Sequence, residues 1–322
     1  MTSETSPSGP TESDVKPDRV GNYIVCFLDL LGQKEKLEDW AELLPDGKPS
    51  PTFIQGMNKT VYTIQNFYEW FRIYFDALKN KTVFNQQTVT SMGTKEQECY
   101  QRQMDFQLGV ERFSDSFVFY APLGNARGEL MALPIYLILG ACCIVMSQAL
   151  AGEVPLRGGI HIAPGVKISK LPEPNFYGPA LAGAYRLESE DAQYPRIVVS
   201  QKVWNFTRYT PPESTGCPWV DQGRLNVLRA CQNLLCEDGW SDRKHIVDWL
   251  GSGSQQRFGS LVKPEILRKC HDFVAKELEQ CKGVKLAGRY RILYQYILDS
   301  LSNWGMQFTQ DNTNTESLGD GE

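Results

Sequence analysis

The sequence predicts an α+β fold, a split βαβ arrangement of order β-α-β-β-α-β whose four strands form one sheet with helices on one face. Three observations carry that prediction. A continuous apolar run, Tyr23 to Leu28, stops at Asp29 as a buried strand would. Two strand-like runs, Phe106 to Phe113 and Phe117 to Tyr120, flank Ser114-Asp115-Ser116, which reads as a hairpin with Asp115 at its tip. Helical patterns lie on either side of that hairpin.

Taken in order, residues 1–20 lack apolar periodicity and read as a flexible tail. The strand ending at Asp29 comes next, then Leu30, Leu31 and Gly32, a polar segment, and a Pro-rich stretch around Pro45–Pro51. Val61, Ile64, Phe67, Phe71, Tyr74 and Leu78 recur at three- and four-residue spacing, which predicts an amphipathic helix over 57–79. Residues 80–104 are polar and read as an irregular insertion. After the hairpin come an apolar helix over 129–150 and a strand at Pro155–Ile162, broken by Pro164-Gly165. A helix from about Pro179 to Ser189 follows, and the β-branched run Arg196 to Val199 closes the set. Composition shifts at Trp204. Residues 221–250 and 263–304 carry helical periodicity, with an apolar stripe of Tyr290, Leu293, Tyr296, Ile297 and Leu301. The expected organisation is a tail (1–20), a sheet domain (21–205), a helical C-terminal extension (206–307) packed on the sheet or on a second subunit, and a second tail (308–322).

Bulk properties exclude several classes. A net charge of −5 and a pI near 5.5 argue against a nucleic-acid partner. Nine cysteines of irregular spacing, several inside apolar runs and with no secretory signal ahead of them, suit a reducing cytoplasm. Leu130 to Met146 is uncharged, but it falls short of the ~20 residues that cross a bilayer and lacks basic flanks. It reads as a buried or subunit-facing helix, with no membrane partner. Cys231, Cys236 and His245 lack zinc-site spacing.

Two carboxylates stand out by position. In a βαββαβ sheet the first and third strands are adjacent and central, so the end of strand one (Asp29) and the hairpin tip (Asp115) can meet at one edge. A carboxylate pair suits hard divalent cations, and two such cations can activate an attacking oxygen and neutralise phosphate charge. Singly, each aspartate is also an ordinary turn residue.

The wording around them narrows the choice. Phe27-Leu28-Asp29-Leu30-Leu31-Gly32 and Phe113-Ser114-Asp115-Ser116-Phe117-Val118 resemble the two metal-binding segments of class III nucleotidyl cyclases. Leu156 to Ala163, containing Arg157-Gly158-Gly159-Ile160-His161, is similar to that family's Arg-x-Gly-Ile-His strand. Tyr177 to Glu188 is similar to its Gly-to-Ala-x-Arg-Leu helix. The four segments occur in family order over roughly residues 22–200, and the Ser-Asp-Ser tip is most similar to the pyrimidine cyclases of Pycsar anti-phage defence.

That resemblance implies a ferredoxin-like cyclase domain converting UTP, or CTP, to a 3′,5′-cyclic monophosphate and pyrophosphate. It implies two divalent cations, Mn2+ or Mg2+, held by Asp29, Asp115 and the Leu30 carbonyl. Arg186 matches the arginine that stabilises the transferring phosphoryl group, and the family's homodimer places active sites at the subunit interface. For the base, Glu111 and Asn175 match the discriminating positions, Arg112 suits uracil O4, and Tyr62 suits stacking. Plainer readings stand beside these: Glu111 and Arg112 as exposed strand residues, Asn175 as a turn former, Tyr62 as core, and His161 as a satisfied core histidine. Purine cyclases of this family carry Asn where Ala182 stands and often Gly where Ser114 stands. A purine cyclase and a degenerate nucleotide-binding module are the competing readings.

Overall fold

A computed structural model describes residues 19–32, 48–82, 86–124, 129–168, 175–209, 214–281 and 283–306. The expected tails over 1–18 and 308–322 lie outside that set. Strand β1 begins at Arg19 and ends at Leu30, absorbing the last residues assigned to the N-terminal tail. Helix α1 (Pro51–Thr82) starts on a proline and runs longer at both ends than its apolar periodicity predicted. Two helices, α2 (Gln86–Ser91) and α3 (Thr94–Met104), occupy the stretch expected to be irregular. Polarity misled here, because α3 buries Cys99, Tyr100 and Gln103 and leaves its other residues exposed or half-buried.

The hairpin is β2 (Gly109–Phe113) and β3 (Ser116–Pro122), joined by the two residues Ser114-Asp115. Ser114 has φ +58°, the left-handed region, which a glycine adopts more freely than a serine. Helix α4 (Leu133–Ala151) follows, then β4 (Leu156–Ile168) and the short β5 (Asn175–Tyr177). Pro164-Gly165 does not end β4. Residues 161–165 have β1 on one side and no pairing on the other, so a residue without an amide hydrogen is tolerated. Helix α5 (Pro179–Arg186) continues into one π-turn, Leu187–Asp191, before β6 (Ile197–Val199).

The sheet order is β2-β3-β1-β4-β6-β8-β7, with β5 on β4. Its first four strands are antiparallel neighbours, as the split βαβ arrangement requires. Odd-numbered residues of β1 (Tyr23, Val25, Phe27) face α5, while Ile24, Cys26, Leu28 and Leu30 face α1 and α4. Helices therefore cover both faces, correcting the one-faced expectation. The reason lies in β1 itself, which is apolar at every position from Tyr23 to Leu28 and needs cover on each side.

Helix α4 is apolar all round because it is enclosed all round. Sheet and α1 cover one side, while α7 (Pro218–Gln232), α8 (Ser252–Phe258) and α9 (Pro264–Gln280) cover the others. Its hydropathy matches that of a membrane span, yet nearly every residue is buried within the chain. Phe71 stacks on Phe119 at 3.6 Å and Phe67 lies 5.0 Å from Phe117, locking α1 to β3.

The C-terminal region is largely helical: α6 (Gln201–Tyr209), α7, α8, α9 and α10 (Val284–Leu301). It also holds two strands read as helix from sequence, β7 (Leu235–Glu237) and β8 (His245–Val247), which extend the sheet beyond β6. Their seam is a buried charge cluster. Arg196 pairs with Asp238 and, at 2.8 Å, with Asp242, while Tyr194 donates to Asp238. Thus the extension is part of the sheet.

Candidate active site

Antiparallel pairing sets the geometry. Asp29 stands opposite Ser116 of β3 and opposite Arg157 of β4, so all three side chains share the α5 face at one end of the sheet. Ser116 Oγ donates to Asp29 Oδ1 at 2.8 Å, and Arg157 Nη2 approaches Oδ2 at 3.4 Å. The amide of Leu30 donates to the Asp115 carbonyl at 3.3 Å, which ties the strand end to the hairpin tip. Asp29, Leu30 and Asp115 are thereby brought close together at this end of the sheet.

Burial is the main influence raising the pKa of the Asp29 carboxyl, and the like charge of Asp115 adds to it; Ser116 and Arg157 oppose both. Glu188, on the π-turn, lies 2.6 Å from Arg157 Nε as an ion pair outside hydrogen-bond alignment. Its carboxyl is also raised, first by burial and further by Asp29. Three carboxylates and one guanidinium leave the site short of positive charge. Two carboxylates and the Leu30 carbonyl are hard oxygen donors, the set that Mg2+ or Mn2+ accepts alongside substrate phosphates. Among the described residues no cluster of three or more His, Cys, Asp or Glu forms a closed metal cage. An open two-carboxylate site completed by phosphate oxygens is the arrangement these residues fit.

Helix α5 packs very close to β4. A Cβ on Gly159 would lie 2.2 Å from the Ala184 carbonyl oxygen, and one on Gly183 would lie 2.3 Å from the His161 ring. These glycines let α5 sit directly on the strand. Arg186, the last residue of α5, is exposed and forms no ion pair with Glu190, four residues on. Beneath the helix, His161 is half-buried and its Nδ1 has no hydrogen-bond partner, which corrects the expectation of a satisfied core histidine. Burial first, then Lys202 and Arg186, lower its pKa to about 4.

The four base-reading candidates separate. Glu111 pairs with Val118 in register, shares the α5 face with Asp29, and accepts from Tyr120 Oη at 3.2 Å. Arg112 turns to the opposite face, its guanidinium 5.2 Å above the Tyr68 ring of α1. Tyr62 is 66% exposed on α1, so its reading as core fails. Asn175 lies in β5 opposite Ile168, at the far end of β4 from Arg157, and is a strand residue rather than a turn former.

Beside Asp29, a groove of about 850 Å³ is lined by Phe27, Phe113, Ser116, Tyr177, Ala182 and Tyr185. Phe113, Tyr177 and Tyr185 are each at least half exposed there. Ser116, Arg157 and Glu188 were missed as site residues. The signal for the first two was strand register: each sits opposite Asp29 once β3 and β4 are aligned.

No family profile matches the sequence, and no curated protein matches it. Among solved structures, a bacterial light-regulated adenylyl cyclase aligns with a TM-score of 0.37 at 12% identity, covering 66% of this chain and 58% of that one. The chain therefore spans a little over half the length of that protein, and a likeness at this level carries no argument about chemistry.

Proposed function

We propose that this chain is a metal-dependent nucleotidyl cyclase, acting on a pyrimidine nucleoside triphosphate as a homodimer in anti-phage defence. The observation that carries the proposal is the convergence of Asp29 and Asp115 at one sheet end, with the Leu30 backbone between them. Asp29, Asp115 and the Leu30 carbonyl would hold the divalent cations, which supply charge neutralisation and acidify the 3′-hydroxyl. Ser116 and Arg157 orient the Asp29 carboxylate through its two oxygens. Arg186, exposed on its own subunit, stabilises charge on the phosphoryl group across the interface.

Support for the dimer is the open groove beside Asp29, whose exposed aromatic rim suits a second copy. Base choice is UTP or CTP. One observation favours the base that bears an amino group. Glu111, an acceptor, shares the face of Asp29, whereas Arg112, the donor suited to uracil O4, faces α1. Guanine and adenine also carry amino groups, so a purine nucleoside triphosphate is the second reading.

Incubation with each of the four ribonucleoside triphosphates and Mn2+, with product identification, tests the proposal. A 3′,5′-cyclic pyrimidine monophosphate is expected. A folded dimer that forms no cyclic product from any of them defeats it.

A further inference from the structure

A second cleft, of about 420 Å³, opens from the same sheet end toward the C-terminal helices. Its walls include Leu31 and Gly32, which directly follow the Asp29-Leu30 pair, as well as Arg157, Tyr194 and Arg289. Arg157 is the hinge between the two regions: its Nη2 reaches Asp29 on one side while the residue lines the cleft on the other. Gly32 has φ +79°, so the chain turns sharply here and a side chain at this position would be strained.

Arg289 is the unexplained member. It lies on α10, a helix anchored by the buried Tyr290, Leu293 and Ile297, so its backbone position is well defined. The side chain is half-buried and forms no ion pair among the described residues. Two carboxylates border the same cleft. Glu153 is exposed and pairs with Lys276 at 3.9 Å, whereas Glu277 is half-buried. A half-buried guanidinium that forms no ion pair among the described residues, in a cleft adjoining the proposed cation site, suits the phosphate oxygens of a polyphosphate chain.

We infer that Arg289 binds the terminal phosphates of the triphosphate tail, which would extend from the Asp29–Asp115 site along the Gly32 turn into this cleft. The C-terminal region thereby completes the substrate site. This assignment rests on the cyclase proposal for the identity of the substrate, but not for the binding chemistry. Pyrophosphate, the product of that reaction, carries the same chemistry and should occupy the same place.

Calorimetry on the full chain with Mg2+ and either tripolyphosphate or pyrophosphate tests it, alongside KM and kcat for the accepted nucleotide. Arg289→Gln should weaken tripolyphosphate binding by about tenfold, and Arg289→Lys should restore part of the loss. Glu277→Gln, which removes a like charge from the wall, should tighten binding by about threefold. Under turnover, KM should rise in Arg289→Gln while kcat stays within about threefold. Pyrophosphate, which contains the terminal phosphate, should weaken in parallel; pyrophosphate binding unchanged by Arg289→Gln counts against the inference. Tripolyphosphate affinity within about twofold of wild type in a folded Arg289→Gln protein overturns it, as does a wild-type chain that binds no tripolyphosphate. The two readings fail separately: Arg289-dependent binding without any cyclic product defeats the cyclase, and cyclic product with an indifferent Arg289 defeats this assignment.

Discussion

Replacing Asp29 with Asn asks whether this carboxylate serves the fold or a cation. The amide keeps an acceptor for Ser116 Oγ, 2.8 Å away, and gives up the ion pair with Arg157 at 3.4 Å. Both members of that pair are partly exposed, and such pairs contribute about 0–1 kcal/mol. Opposing this loss is relief from holding a charge that burial and Asp115 both disfavour. Because the folded pKa lies above the unfolded value of 3.8, the native state binds the extra proton just above that pH. Asp29 therefore makes the cation-free protein less stable as pH rises through its folded pKa. The two effects oppose each other and the ion pair is worth at most about 1 kcal/mol, so the melting temperature without metal should move by no more than about 2 °C. A divalent cation at about 100 times its Kd stabilises the native wild type by about 2.7 kcal/mol, or roughly 5 °C for a chain of this size. That increment should vanish in Asp29→Asn, with turnover down by about 10³-fold or more. Differential scanning fluorimetry with and without Mn2+, beside the turnover assay, reads both. A large loss of stability in the metal-free variant, or an undiminished Mn2+ shift, would refute the reasoning.

Other outcomes follow from the same contacts. Arg186→Ala should cut kcat by about 10²-fold while leaving the melting temperature in place, since the side chain is exposed; a stability loss of similar rank would make it structural. His161 has its folded pKa lowered from 6.5 to about 4, so the native state holds fewer protons than the unfolded chain across that window. Its share of stability is present above pH 6.5 and is lost as pH falls toward 4. Denaturant titrations should show this slope reduced in His161→Gln. Asp238→Ala strips one partner from the buried Arg196 and should cost about 3 kcal/mol by urea unfolding, with Asp242 limiting the damage. An effect below about 1 kcal/mol would mean Asp242 compensates fully.

What could be read without the structure was local. Apolar runs and three-to-four spacing located β1, α1, α4, α9 and α10, because burial periodicity follows the backbone repeat. Asp29 and Asp115 were legible as strand-end and hairpin-tip residues for the same reason. Strand boundaries near Phe106 and Pro164 were not, since chain partners on each side, rather than residue type, decide where pairing starts and stops.

Residue identities along the chain determined where carboxylates, glycines and the exposed arginine of α5 would stand on their own elements. Tertiary structure decided what each faces. Register between β1, β3 and β4 placed Ser116 and Arg157 on Asp29, and strand alternation put Glu111 and Arg112 on opposite faces. Pairing of β8 with β6 joined the C-terminal region to the sheet. The physical reason is that pairing partners and packed faces are relations between distant segments, and hydrophobic pattern within one segment carries no record of its partner.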